Sequence, residues 1–187
     1  MEPAVILVEG ASDRRALEEV ARLRGDDLTG LPITILVMSG ITNLARHLLA
    51  VPQGTRVTGL YDVAERAYVR TTLGRLGRTE PFFACDRDLE DELIRALGQD
   101  RVLDIIEEVG DRRRWDVLRH QPFQRDRARV DVLHRFLGTT SGRKLRYAGL
   151  LAAALDPSKV PAPLIAVLDE AGGRCPASPA PSAVPET

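Results

Sequence analysis

The chain has 187 residues, 44% of them hydrophobic and 28% charged, and a net charge of −1. This is the composition of a soluble globular domain with enough chain for a substantial core, and it excludes fibrous and low-complexity classes. Two cysteines, Cys85 and Cys175, are too few for a disulfide framework, and the longest apolar run, AGLLAAAL at 148–155, is far short of a bilayer span. Glu2, Glu9 and Asp13 break any secretory signal pattern, so the expected location is cytoplasmic, away from membranes.

In chain order, AVILV (4–8) predicts a buried strand, and 13–24 a helix that Ser12 can cap and Gly25 can end. ITILVM (33–38) predicts a second strand, followed by a helix near 41–50. RVTGLY (56–61) predicts a third strand, with a helix over 63–76, and PFFAC (81–85) a short fourth strand, with a helix over 88–98. Strands alternating with helices imply βαβ units and a mostly parallel sheet of about four strands. From 100 to about 170 only helical periodicity remains, punctuated by Pro122, Pro157 and Pro161. The expected organisation is an α/β core over 1–99, a helical extension packed on it over 100–170, and a disordered Pro/Ala/Ser-rich tail over 171–187.

Several acids stand where apolar residues belong. At 100° per residue, Asp13 shares the face of Leu17 and Val20, whereas Glu18, Glu19, Arg15 and Arg22 cover the opposite face. Glu65 aligns with Val69, Thr72 and Leu76, and Glu90 with Leu93, Ile94 and Leu97. Glu9 and Asp62 end apolar strands. Taken singly, the helical acids are explained by first-turn placement, where they meet unpaired N–H groups and the helix dipole. Taken together, they imply more. In an open parallel sheet the strand ends and the following helix N-termini share one edge, where ligands bind. Five carboxylates, Glu9, Asp13, Asp62, Glu65 and Glu90, would converge there, and their repulsion is relieved most simply by one or two hard cations, Mg²⁺ or Mn²⁺.

VILVEGASD followed by GLYDVAE resembles the TOPRIM (topoisomerase–primase) module, and DLEDELIRALG and SGRKLRYAGLLAAALD resemble more narrowly the TOPRIM domain of the OLD (overcoming lysogenisation defect) endonucleases. The resemblance covers about residues 3–168 and implies a TOPRIM-like, Rossmann-like sheet. It implies that Glu9, Asp13 and Asp62 hold a divalent ion, that Glu65 and Glu90 help, and that Lys144 stabilises transition-state charge in phosphodiester hydrolysis. The second Asp of the family's Asp-x-Asp is replaced by Ala64, with Glu65 adjacent as a possible substitute. Lys144 shares a helical face with Ala148, Leu151 and Leu155, so a lysine snorkelling from a helix start is the alternative.

The OLD proteins carry an ATPase domain, but no G-x-x-x-x-G-K-S/T loop occurs in this chain; GTTSGRK at 138–144 has the wrong spacing. The expected partners are therefore a nucleic acid, DNA first, and a separately encoded ATPase. Ser141 and Arg143 are candidate phosphate contacts. The arginine-rich stretch 111–135 suits phosphate binding but reads equally as an ion-paired, solvated surface. His47, His120 and His134 lack zinc-ligand spacing, and Cys85 reads as a core residue. Metal-dependent endonuclease activity is the leading expectation. The alternatives are a TOPRIM RNA-processing nuclease and a catalytically silent binding module.

Overall fold

The computed structural model describes residues 2–174 except positions 27, 29 and 139. Four strands, β1 (Ala4–Val8), β2 (Ile33–Val37), β3 (Arg56–Asp62) and β4 (Phe82–Cys85), form one sheet in the order β2-β1-β3-β4. Every neighbouring pair is parallel, with Leu7 opposite both Leu36 and Gly59, and Asp62 opposite Cys85. Parallel neighbours cannot be joined by hairpins, so each connection crosses over through helix: α1 (Ala11–Leu23), α2 (Leu44–Ala50) and α3 (Arg66–Arg75). Short 3₁₀ turns, Ile41–Asn43 and Val63–Glu65, precede α2 and α3 where single helices were expected.

Side-chain alternation along the strands supplies two cores. Ala4, Ile6, Val8 and Leu60 face one side, while Leu7, Val57 and Tyr61 join Leu44, Leu48 and Val69 on the other. Helices α2 and α3, with Ile41 of the turn before α2, cover the second side. The first side receives α1 together with α4 (Leu89–Leu97), α5 (Gln99–Glu108), α6 (Arg112–Arg119), α7 (Arg129–Gly138), α8 (Ser141–Ala153) and α9 (Ala162–Ala171). Helix α8 lies against α1, and α9 against β3, β4 and β1. Trp115, Phe136, Tyr147 and Leu164 are accordingly in the same cluster as Ile6 and Leu17.

The tail expected from position 171 does not begin there. Ala171 is the buried last residue of α9, and Arg174 forks onto both carboxylate oxygens of Asp26, at 2.8 and 2.9 Å, and onto Asp169 at 3.0 Å. The remainder of that stretch, 175–187, lies outside the described residues.

The strand order matters for function. From β1 the chain moves first to one side, to β2, and then to the other, to β3. The topological switch therefore lies between β1 and β3; Glu9 directly follows the carboxyl end of β1, and Asp62 is the last residue of β3.

Candidate functional site

The first turn after β1 is built around Gly10, not around Ser12. Gly10 is the N-cap of α1, and its N–H donates to Asp13 Oδ2 at 2.8 Å; Ser12 is buried inside the first turn. The carboxylate thus reaches back to the cap, as the third residue of a capping box does. Across from it, Ser39 and Gly40 take φ of 58° and 111°, and the Gly40 N–H donates to the carbonyl of Glu9 at 3.2 Å. These turns leave a cleft of about 510 Å³ at the sheet edge, lined by Glu9, Asp13, Asp62 and Lys144 with Ser39 and Gly40.

The electrostatics tie these groups together. Burial pushes the Asp62 carboxyl up to about 7, assisted by the negative charges of Asp13, Asp88 and Glu9 and opposed by Lys144. Asp13 is likewise raised, by burial first; the Gly10 N–H and Lys144 oppose the rise, while Glu9 and Asp88 add to it. Lys144 Nζ lies 3.2 Å from Glu90 Oε2. Burial works against the ammonium, but Glu90, Asp13 and Asp62 hold it above its ordinary value, so it is a fixed cation. Glu90, 5% exposed, is raised by burial despite Lys144, and its Oε1 has no hydrogen-bond partner.

Beside Glu90 stand two residues that sequence reasoning passed over. Asp88 caps α4, accepting the Asp91 N–H on Oδ1 at 3.0 Å, and its Oδ2 lies 2.6 Å from His134 Nε2. Burial opposes ionisation of Asp88, but His134 and the Asp91 N–H outweigh it and hold the carboxyl below its usual range. Ligand atoms of Asp88, Glu90 and His134 all lie within 4.8 Å of one another. A capping acid and a histidine 46 positions away share no periodicity that would have signalled this. Glu92, on the same helix as Glu90, is 8% exposed and accepts the Asp86 N–H at 2.8 Å.

Two candidates stand elsewhere, and the side chain of a third is not described. Glu65 is the N-cap of α3 and does not line the cleft. Arg143 is occupied with Phe136, donating to its carbonyl at 3.3 Å and lying 4.6 Å from its ring centroid. Ser141 opens α8, but its side chain lies outside what the structure describes. Cys85 is buried, and burial raises its thiol far above the usual range, which suits a core residue.

A parallel α/β sheet with carboxylates gathered at its switch point is the arrangement in which open α/β folds place a ligand site. Residues 3–53 match the family model described as the overcoming lysogenization defect protein-like TOPRIM domain. No curated protein matches the chain. Among solved structures, the C-terminal region of the Xanthomonas campestris pv. campestris OLD protein, phased with platinum, is similar with a TM-score of 0.69 at 24% identity, covering 91% of this chain and 92% of that one. The C-terminal region of the Burkholderia pseudomallei OLD protein gives 0.64 at 22% identity, covering 92% and 98%. The fold is that of the TOPRIM-containing C-terminal regions of OLD proteins. Among the described residues no helix is long and apolar enough to cross a membrane.

Proposed function

We propose that this chain is a divalent-metal-dependent nuclease that hydrolyses phosphodiester bonds in DNA. The observation that carries this reading is the convergence of Glu9, Asp13, Asp62 and Lys144 on one cleft, with Asp62 pushed up to about 7 by burial and its acidic neighbours. Carboxylates so placed resist ionisation unless a cation arrives, and the unpartnered Oε1 of Glu90 adds a further oxygen without a donor. The residues present therefore fit Mg²⁺ or Mn²⁺: Glu9, Asp13 and Asp62 would hold one ion, and Glu90 with Asp88 would serve a second position. When bound, such ions supply an activated water and charge neutralisation at the leaving oxygen.

The chain's own groups do the rest. Lys144, kept protonated by three carboxylates, offers a fixed positive charge to the phosphate oxygens as negative charge accumulates. The Gly10 N–H orients Asp13, so that one carboxylate oxygen is fixed and the other is left for a ligand. The 3.2 Å contact with Glu90 anchors the lysine at the cleft.

The test is nicking of supercoiled plasmid in Mn²⁺ and Mg²⁺ by wild type, Glu9→Gln and Asp62→Asn. Metal-dependent nicking lost in both variants supports the nuclease; nicking unchanged in both, or absent with either metal on DNA and RNA alike, overturns it. The second reading, a silent binding module, is favoured by Ala64 and by the placement of Glu65 outside the cleft.

A further inference from the structure

The arginine-rich stretch 111–135 is not a uniformly ion-paired surface. Three of its four acids have specific partners, and the fourth, Asp126, is exposed and does not line the cleft formed there. Asp111 takes Arg114, Arg146 and Tyr147; Asp116 takes Arg112; Asp131 takes Arg87. Arg129 reaches outside the stretch to Asp100 at 2.9 Å. Arg119, Arg125 and Arg127 are exposed, and among the described residues no carboxylate lies within ion-pairing distance of them. All three, with Arg129, line one cleft of about 330 Å³ formed by α6, α7 and the turn joining them, and no acid lines it.

The floor of the same cleft holds a second, independent oddity. Trp115 is 1% exposed and Gln124 is 2% exposed, and both line the cleft. Trp115 Nε1 has no hydrogen-bond partner, and neither does Gln124 at Oε1 or Nε2. Buried polar atoms are nearly always paired, so three orphans under three unpaired guanidinium groups indicate groups held in readiness for something absent. The indole offers a donor, the amide a donor and an acceptor, and the arginines a fork geometry that matches phosphate oxygens.

We propose that this cleft binds a phosphoryl group carried on a nucleotide-sized ligand. The arginines hold the phosphate, and Trp115 and Gln124 supply hydrogen bonds to the polar group beneath it. The volume lies at the lower end of small-molecule sites, room for a mononucleotide unit and too little for a duplex. Two sources share that chemistry, a free nucleoside monophosphate and the terminal phosphate of a DNA strand. The proposal does not rest on the nuclease reading, because Glu9, Asp62 and Lys144 take no part in this cleft.

Trp115 is the only tryptophan in the chain, so the site carries its own reporter. Its emission is followed in EDTA, which removes metal-dependent binding at the acidic cleft. The probes are inorganic phosphate, a deoxynucleoside 5′-monophosphate, a 5′-phosphorylated oligonucleotide and its 5′-hydroxyl counterpart, each repeated by calorimetry to catch optically silent binding. The expected result is saturable binding of phosphorylated probes, weakened roughly tenfold or more in the Arg119→Ala/Arg127→Ala variant. Gln124→Leu is expected to weaken binding without lowering the melting temperature, since it removes unpaired polar atoms. Binding confined to the nucleotide assigns a free ligand, and binding confined to the phosphorylated oligonucleotide assigns a strand end. No saturable binding by either method, equal binding of the 5′-hydroxyl oligonucleotide, or undiminished binding in the double arginine variant overturns the proposal.

Discussion

Asp62→Asn separates the physical claim about the acidic cleft from the chemical one. In the unfolded chain the carboxyl titrates near 3.8; in the fold, burial and its acidic neighbours push it up to about 7. Below pH 3.8 both states are protonated, and Asp62 imposes no penalty. As pH rises from there the unfolded chain releases the proton while the folded chain retains it, so stability falls until about pH 7 and is level above it. The full penalty corresponds to about 4 kcal/mol, and solvent reaching this half-buried side chain brings the measurable effect to about 1–3 kcal/mol. Asparagine cannot ionise and escapes it. Urea unfolding in EDTA should therefore show Asp62→Asn more stable than wild type by that amount at pH 8, with the difference shrinking towards pH 4. Adding Mn²⁺ should stabilise the wild type and leave the variant much less affected, because ligand binding to the folded state alone raises stability. Parallel pH curves for the two proteins in EDTA would refute the claim that Asp62 is held against ionisation.

Lys144→Met should abolish nicking and, in urea unfolding at pH 7, cost about 1–3 kcal/mol, because it strands the buried Glu90, whose Oε1 already lacks a partner; adding Glu90→Gln should recover most of the stability but none of the activity. Gly59→Ala in β3 should lose about 1–3 kcal/mol by the same assay, since its Cβ would meet the ring of Phe82 and stand 2.8 Å from the Leu7 carbonyl oxygen. Gly149→Ala in α8 makes the contrast: the atom met there is Nε of the flexible Arg15, so the helix-propensity gain of up to about 1 kcal/mol should leave the protein unchanged or raise its melting temperature. Tyr147→Phe removes the hydroxyl that donates to buried Asp111 at 3.0 Å and should lower stability by about 1–3 kcal/mol above pH 4. The depressed Asp111 carboxyl makes this contribution fade as pH falls through its folded value, a trend that acid titration of both proteins would follow.

What was legible in the sequence was whatever rests on local periodicity. All four strands and the helices after them follow from apolar runs and turn residues, and the parallel sheet follows from their alternation. Glu9, Asp13 and Asp62 were legible because a charged residue interrupts an apolar pattern at a strand end or on an inward helix face. Glu65 met the same criterion and is not in the cleft: a 3₁₀ turn over Val63–Glu65 resets the phase that an unbroken helix would have given it. His134 carried no such signal. Its position depends on how α7 packs against α4, a contact between elements that no single window of sequence contains. The orphaned Trp115 and Gln124 belong to the same category, since an unsatisfied group is recognisable only once its surroundings are known.

The four carboxylates around Lys144 and His134 divide by environment in a way that bears on Ala64. Asp13, Asp62 and Glu90 are pushed towards the neutral form, burial being the largest cause in each, whereas Asp88 is held ionised by His134 and the Asp91 N–H. Adding a further acid at position 64 would add another like charge to a group already resisting ionisation. Asp88 supplies a standing negative charge from α4 instead, with its own hydrogen bonds to keep it so. The pairing raises His134 through the Asp88 hydrogen bond, so the imidazole shares its proton with a carboxylate while Lys144 neutralises Glu90. In the cation-free protein these two internal pairs occupy Asp88 and Glu90, leaving Asp62, pushed up to about 7, as the group that must release a proton when a cation enters, with Asp13 raised in the same direction by burial. Cation binding at this cleft should therefore expel protons between about pH 5 and 7, which calorimetry in buffers of different ionisation enthalpy measures directly, and a proton count that stays at zero across that range would contradict the charge arrangement argued from these residues.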